Sequence, residues 1–258
     1  MLGCEIKDVG YGALAPVGRG LALRAQNLES TQRHLLVAGN YLHGYNYQGI
    51  QVTGDGSDPL ALRLVATIAG NVVTGAGPTD QLGQFGILIG RGAAGTVRFN
   101  QIRGHLSTAP LAEAATSIFS RFASGMQVDH NFIDGAEYGI VLIDQVGAVA
   151  EHNVVVTPGT GGAPNGTLGI WLEGDGSAAA HNEIQGPGRT VTGSLGMAIG
   201  NGQGVSATHN RISDEELGVD VYTSQAAVVS KNLFARVGKE ILIEADAIGT
   251  VVSGNRDR

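Results

Sequence analysis

Short apolar stretches recur along this chain, and one polar residue holds a fixed place in each interval. Windows of the form apolar-x-x-Asn read VAGN, IAGN, VRFN, VDHN, AEHN, AAHN, ATHN, VSKN and VSGN, with asparagines at 40, 71, 100, 131, 153, 182, 210, 232 and 255. Nine of the thirteen asparagines thus share one repeat position, at intervals of 22 to 31 residues. A second element precedes the later asparagines by 12 to 14 residues: GILI, SIFS, GIVL, GIWL, GMAI, GVDV and EILI, with GIQV as an outlying earlier copy. Inward residues alternate within it, the period of a strand with one buried face.

A unit this small cannot bury its own apolar face and must stack on its neighbours. The pattern predicts an all-β solenoid of parallel strands, about nine to ten coils in one domain over residues 1–258. Coils would sit ~4.8 Å apart, so the asparagines should form an internal ladder of amides bonded to one another and to turn backbone. The glycine opening each strand fits a bend where a side chain would clash. Forty-one glycines against seven prolines suit a turn-dense, ordered β protein.

The alternation of ladder asparagine and G-I-x-L strand, from about residue 20 to 258, resembles the right-handed parallel β-helix superfamily. The pectate-lyase-like group of that superfamily carries carbohydrate-binding and sugar-hydrolase repeats reading N-x-I…G-I-x-L. The resemblance implies a right-handed β-helix and a polysaccharide or other glycan as partner, recognised and in some families cleaved or epimerised. It also implies an extracellular or cell-surface setting. The alternative is a non-catalytic structural or adhesive module, such as a fibre, spike or appendage segment. The Asp-Asp and Gly-His-Gly strings of polygalacturonase-like enzymes and the Asp-Pro-His of alginate epimerases do not occur, so no family's catalytic set carries over.

A net charge of −7 with 16 scattered basic residues leaves no footprint for nucleic acid. The single cysteine excludes an internal disulfide framework. No apolar run approaches the ~20 residues of a membrane span, and MLGCEIK does not read as a signal peptide. Neither end shows a capping helix, and CEIKDVGYG at 4–12 already reads like coil interior. Either the domain is cut from a longer chain, or end-to-end or homo-oligomeric contacts cover it.

Insertions at 76–85, 105–117, 157–168 and 187–195 follow the same turn in two pairs. The short coil between them carries Asp134, Glu137 and Tyr138 and should floor a notch ~10 Å wide. TAPLAEAA at 108–115 is expected to form a helical turn. Alternation puts Phe119 and Arg121, Trp171 and Glu173, and Asp220 and Tyr222 on the outer strand face, with Asp144 and Asp175 at strand ends. Arg121, Asp144 and Glu173, on three successive coils, form the candidate catalytic set. Paired carboxylates suit glycoside hydrolysis, and an arginine beside them suits elimination on a uronate; solubilising ion pairs are the plain alternative. Trp171, Phe119, Glu137, Tyr138, Asp175 and Tyr222 are the candidate substrate contacts.

His130, His152, His181 and His209 each precede a ladder asparagine and should form a column. They are weak metal candidates, since the same position holds Gly39, Gly70, Phe99, Lys231 and Gly254. No cofactor is expected. VTGDGS at 52–57 and LEGDGS at 172–177 hint at calcium, but Asp-Gly is an ordinary turn pair. Asn165-Gly-Thr matches a glycosylation sequon, a motif frequent by chance.

Overall fold

The computed structural model describes residues 1–7, 21–54, 61–79, 83–107, 114–123, 125–158 and 166–258. Most of the expected helical turn at 108–115, the end of VTGDGS, Asn165 and residues 8–12 lie outside them.

Three sheets, every pairing parallel, run the length of the molecule, with ten, nine and nine strands. The first extends from Glu5–Ile6 to Arg256–Asp257, the second from Leu21–Gln26 to Lys239–Ile243, and the third from Arg33–Ala38 to Val251–Ser253. One coil crosses all three in turn: Phe132–Ala136, Tyr138–Ile143, then Val149–Glu151, after which Asn153 opens the next coil. None of the described residues is α-helical.

Alternation explains the interior. In the second sheet Ile87, Ile118, Ile140, Ile170, Met197, Val219 and Ile241 stack in register, and the first six are fully buried. The first sheet adds Ile102, Ile133, Val155, Ile184 and Ile212, and the third adds Val97, Val128, Ala150, Ala179 and Ala207. Where the chain passes from first sheet to second, the strand-opening glycine lies against the first-sheet column. A Cβ on Gly169 would stand 2.5 Å from Ile184 Cγ2, and one on Gly196 2.5 Å from Ile212 Cγ2.

The nine repeated asparagines form one ladder at the corner between third and first sheets. Asn153 shows the pattern: Nδ2 donates to Asn182 Oδ1 at 3.0 Å and to Val128 O at 2.9 Å. Its Oδ1 accepts from the backbone N and the Nδ2 of Asn131, both at 3.0 Å. Each amide closes its own and its neighbour's hydrogen bonds, so the polar corner is buried without orphans. The residue before each asparagine has φ between 53° and 65°. That backbone requirement is met by glycine in three coils and by histidine in four; histidine is among the residues that tolerate the left-handed region.

Candidate functional site

The outer face of the second sheet carries a groove. Two columns of outward residues define it, fixed by strand register. Arg24, Gln51, Leu88, Phe119, Val141 and Trp171 form one, and Gln26, Thr53, Gly90, Arg121 and Ile143 the other. The groove has a volume of about 790 Å³ and draws its lining from six successive strands, Leu21–Gln26 to Thr167–Glu173. Five coil steps make it ~24 Å long, parallel to the solenoid axis.

Aromatic rings supply much of the lining. Tyr47 meets Phe85 edge-on at 6.0 Å, Phe85 meets Phe119 at 5.4 Å, and Tyr138 meets Trp171 at 6.4 Å. The charged residues of the lining are Arg24, Arg91 and Arg121, and no carboxylate joins them among the described residues. Arg121 Nε donates to Asp144 Oδ2 at 2.6 Å, and its guanidinium lies 4.5 Å from the Phe122 ring centre. With Arg121 paired to Asp144, the positive charge along this face comes from Arg24 and Arg91.

The candidate residues separate into groups. Phe119, Arg121, Tyr138 and Trp171 line the groove, with Asp144 tied to Arg121. Glu173 belongs to a second cluster beyond Trp171 and is 7% exposed. Its Oε1 accepts from Tyr222 OH at 2.6 Å, Asn201 Nδ2 at 2.8 Å and Trp171 Nε1 at 3.2 Å. Trp171 Nε1 also donates to Tyr222 OH at 2.6 Å. Burial, reinforced by the Glu173 carboxylate, pushes the Tyr222 phenol well up from its ordinary value, although the indole opposes this. Tyr222 reaches Glu173 from two coils away because Gly200 lies between them; a Cβ there would meet the phenol ring at 2.7 Å. No described hydrogen bond or ion pair joins this cluster to the Arg121–Asp144 pair.

Three expectations change. Glu137, expected to face a ligand, is fully buried. Its Oε2 accepts from Ser107 Oγ and from Ala115 N at 2.9 Å, so it pins both roots of the 105–117 insertion. The corner between first and second sheets turns this side chain inward. Asp134 points outward from the first sheet, in register with Arg103 and away from the groove. The groove is therefore not a notch two coils wide between the loop pairs but a longer channel displaced toward the N-terminal coils. Asp175 lies beside a separate hollow of about 390 Å³ shared with Thr223 and Asp246, and its Oδ1 accepts from Gln203 N at 2.8 Å. Gly176 follows with φ 65°, so LEGDGS forms a turn.

Arg91, which alternation puts at a strand end as it does Asp144 and Asp175, lines the groove, whereas Arg24, Tyr47 and Phe85 are not among the expected contacts. Carrying the strand register back from GIQV to LALR puts Arg24 outward, and Tyr47 comes from a turn that alternation does not describe.

The histidines form the predicted column, with ring centres 4.9, 5.1 and 4.9 Å apart from His130 to His209. Among the described residues, no group of three or more His, Cys, Asp and Glu side chains is arranged to hold a metal ion. Among the described residues no helix is long and apolar enough to cross a membrane.

A family model described as "Right handed beta helix region" matches residues 116–256. No curated protein and no solved structure matches the chain.

Proposed function

The chain belongs to the right-handed β-helix family, and on that premise we propose that the groove of the second sheet binds an elongated polysaccharide lying along the solenoid axis. The observation that carries this reading is the lining itself: a channel of about 790 Å³ with aromatic rings along it and three arginines, Arg24, Arg91 and Arg121, as its charged groups. Aromatic faces take the apolar faces of sugar rings, and guanidinium forks take carboxylate or sulfate oxygens. A pyranose ring is about as long as one coil is high, ~4.8 Å, so successive sugars can meet successive strands. The preferred ligand is an anionic glycan, which would put the working site outside the cell or at its surface.

Recognition has more support than cleavage or epimerisation. Arg121 is paired with Asp144, and one oxygen of Glu173 accepts from three donors, so the candidate catalytic groups are engaged in two separate clusters rather than brought together on one bond of a ligand. The test is a binding panel of acidic and neutral polysaccharides, with reducing ends and unsaturated products measured in parallel. Binding that favours acidic chains, weakens with salt and falls about tenfold or more in Phe119→Ala or Arg91→Ala supports the proposal. Absence of binding across the panel refutes it, and product formation would add cleavage.

A further inference from the structure

The histidine column stands at the ladder corner, away from the groove, and glycan binding makes no use of it. His130, His152, His181 and His209 are exposed and hold φ between 53° and 56°. Phe99 extends the stack beyond His130 at 5.1 Å, and Lys231 occupies the position after His209. The backbone accounts for a left-handed residue here, and stacking accounts for a ring. Neither accounts for what surrounds the first pair.

Asp129 Oδ1 lies 2.9 Å from His130 Nδ1. An ionised carboxylate only accepts, so Nδ1 carries the proton and the Nε2 lone pair is left facing outward. A carboxylate behind an imidazole is how proteins orient a metal-binding histidine and raise its basicity. Glu151, beside His152, is the register partner of Asp129, while the next coils put Ala180, Thr208 and Ser230 at that place. Asp129 and Glu151 therefore stand beside the His130–His152 pair, with Arg98 at the same place one coil earlier, and Lys231 lies at the other end of the column. The planes are tilted by 23° between His130 and His152, 7° between His152 and His181 and 19° between His181 and His209, so the carboxylates rather than the tilt set the first pair apart.

We propose that His130 and His152 form a two-imidazole site for a divalent transition-metal ion of the zinc and copper class, with Asp129 orienting His130. The ion binds Nε2 of His130 and a ring nitrogen of His152, and water fills its remaining positions. Both rings are exposed and their centres lie 4.9 Å apart, so the pair is required to converge on the ion by side-chain rotation outside the buried ladder. Imidazole pairs suit Zn²⁺ and Cu²⁺ rather than calcium. His181 and His209 repeat the pair without carboxylates, so they take the ion more weakly.

The test titrates Cu²⁺ and Zn²⁺ salts into the whole chain carrying Cys4→Ser, which removes the exposed thiol as a competing ligand. Calorimetry reads affinity, electron paramagnetic resonance counts the nitrogens on Cu²⁺, and thermal unfolding reports stabilisation by Zn²⁺. Asparagine is the substitution of choice because it tolerates positive φ and lacks the imidazole. The expected result is a first ion held by two nitrogens, weakened about tenfold or more in His130→Asn and in His152→Asn and about threefold in Asp129→Asn. His181→Asn leaves that first ion within about twofold, since the ligands it loses belong to the weaker pair. A first ion held by one nitrogen, or unmoved by the substitutions at 130 and 152, overturns the proposal and leaves scattered surface histidines as the ligands.

Discussion

At four successive coils two neighbouring residues, a histidine and then an asparagine, both recur once per coil, yet the structure treats the two columns differently. The asparagines are buried and linked by side-chain bonds of 2.9 to 3.1 Å. The histidines are exposed and meet through ring stacking near 5 Å. Correspondingly, the inner position is asparagine in all nine coils, whereas the outer one accepts glycine, phenylalanine, histidine or lysine. What the backbone requires outside is a positive φ; what it requires inside is one side chain that is both donor and acceptor. Repetition in sequence therefore marks a site as indispensable only where hydrogen bonds would otherwise go unmet.

That rule can be pressed hardest at Glu215, an interior polar group without such closure. It is fully buried, and neither carboxylate oxygen has a hydrogen-bond partner among the described residues. Burial pushes its carboxyl up to about 8, opposed by Ser194 and helped by the charge of Asp214. The unfolded chain ionises near 4.5, so below that pH neither state is penalised. As pH rises from there to about 8 the folded state resists ionisation and stability falls, by roughly 3–5 kcal/mol, before levelling off. Denaturant unfolding at pH 5 and pH 8 should show this loss in the native protein and not in Glu215→Gln; equal losses in both would mean that water reaches the carboxyl.

Asn153→Ala comes next. It removes the side-chain acceptor of Asn131 N and leaves Asn131 Nδ2, Val128 O and Asn182 Oδ1 one hydrogen bond short, for about 3 kcal/mol, measurable as a lowered urea midpoint. A neutral result would mean that water replaces the amide and that the ladder is not what fixes asparagine there. Gly169→Ala should cost about 2 kcal/mol, since its Cβ would stand 2.5 Å from both Gly196 O and Ile184 Cγ2, and combined with Ile184→Ala, which removes that methyl, the loss should be less than the sum of the two alone. The smallest effect belongs to the outer column: His181→Asn, which keeps the favoured φ and loses only stacking, should shift stability by less than about 1 kcal/mol. A larger loss would make the two columns alike.

The fold was legible because its determinants are local and periodic. Asn131 and Gly139 mark the ladder and the bend of their own coil, and each copy repeats them. The site was harder to read because its geometry depends on spacing between coils. Glu137 sits beside Tyr138 in the chain, yet the corner sends one inward and the other into the groove. Glu173 was placed on the correct strand, but its partners Asn201 and Tyr222 lie one and two coils on, and only the bare backbone at Gly200 lets the phenol through. The column of histidines was visible, as were Asp129 and Glu151 one residue before its first two rings, while the hydrogen bond between Asp129 and His130 depends on side-chain geometry that spacing does not give.

The ladder also has a direction. In every link the side-chain nitrogen of one coil points to the side-chain oxygen of the coil that follows, from Asn40 through to Asn255. Nine amide dipoles are thereby aligned head to tail along the axis, a side-chain counterpart of the helix dipole, negative toward the first coil and positive toward the last. A second copy turned about a two-fold axis would oppose donor to donor or acceptor to acceptor. A copy stacked in the same direction would continue this polarity, whereas a two-fold partner would oppose it.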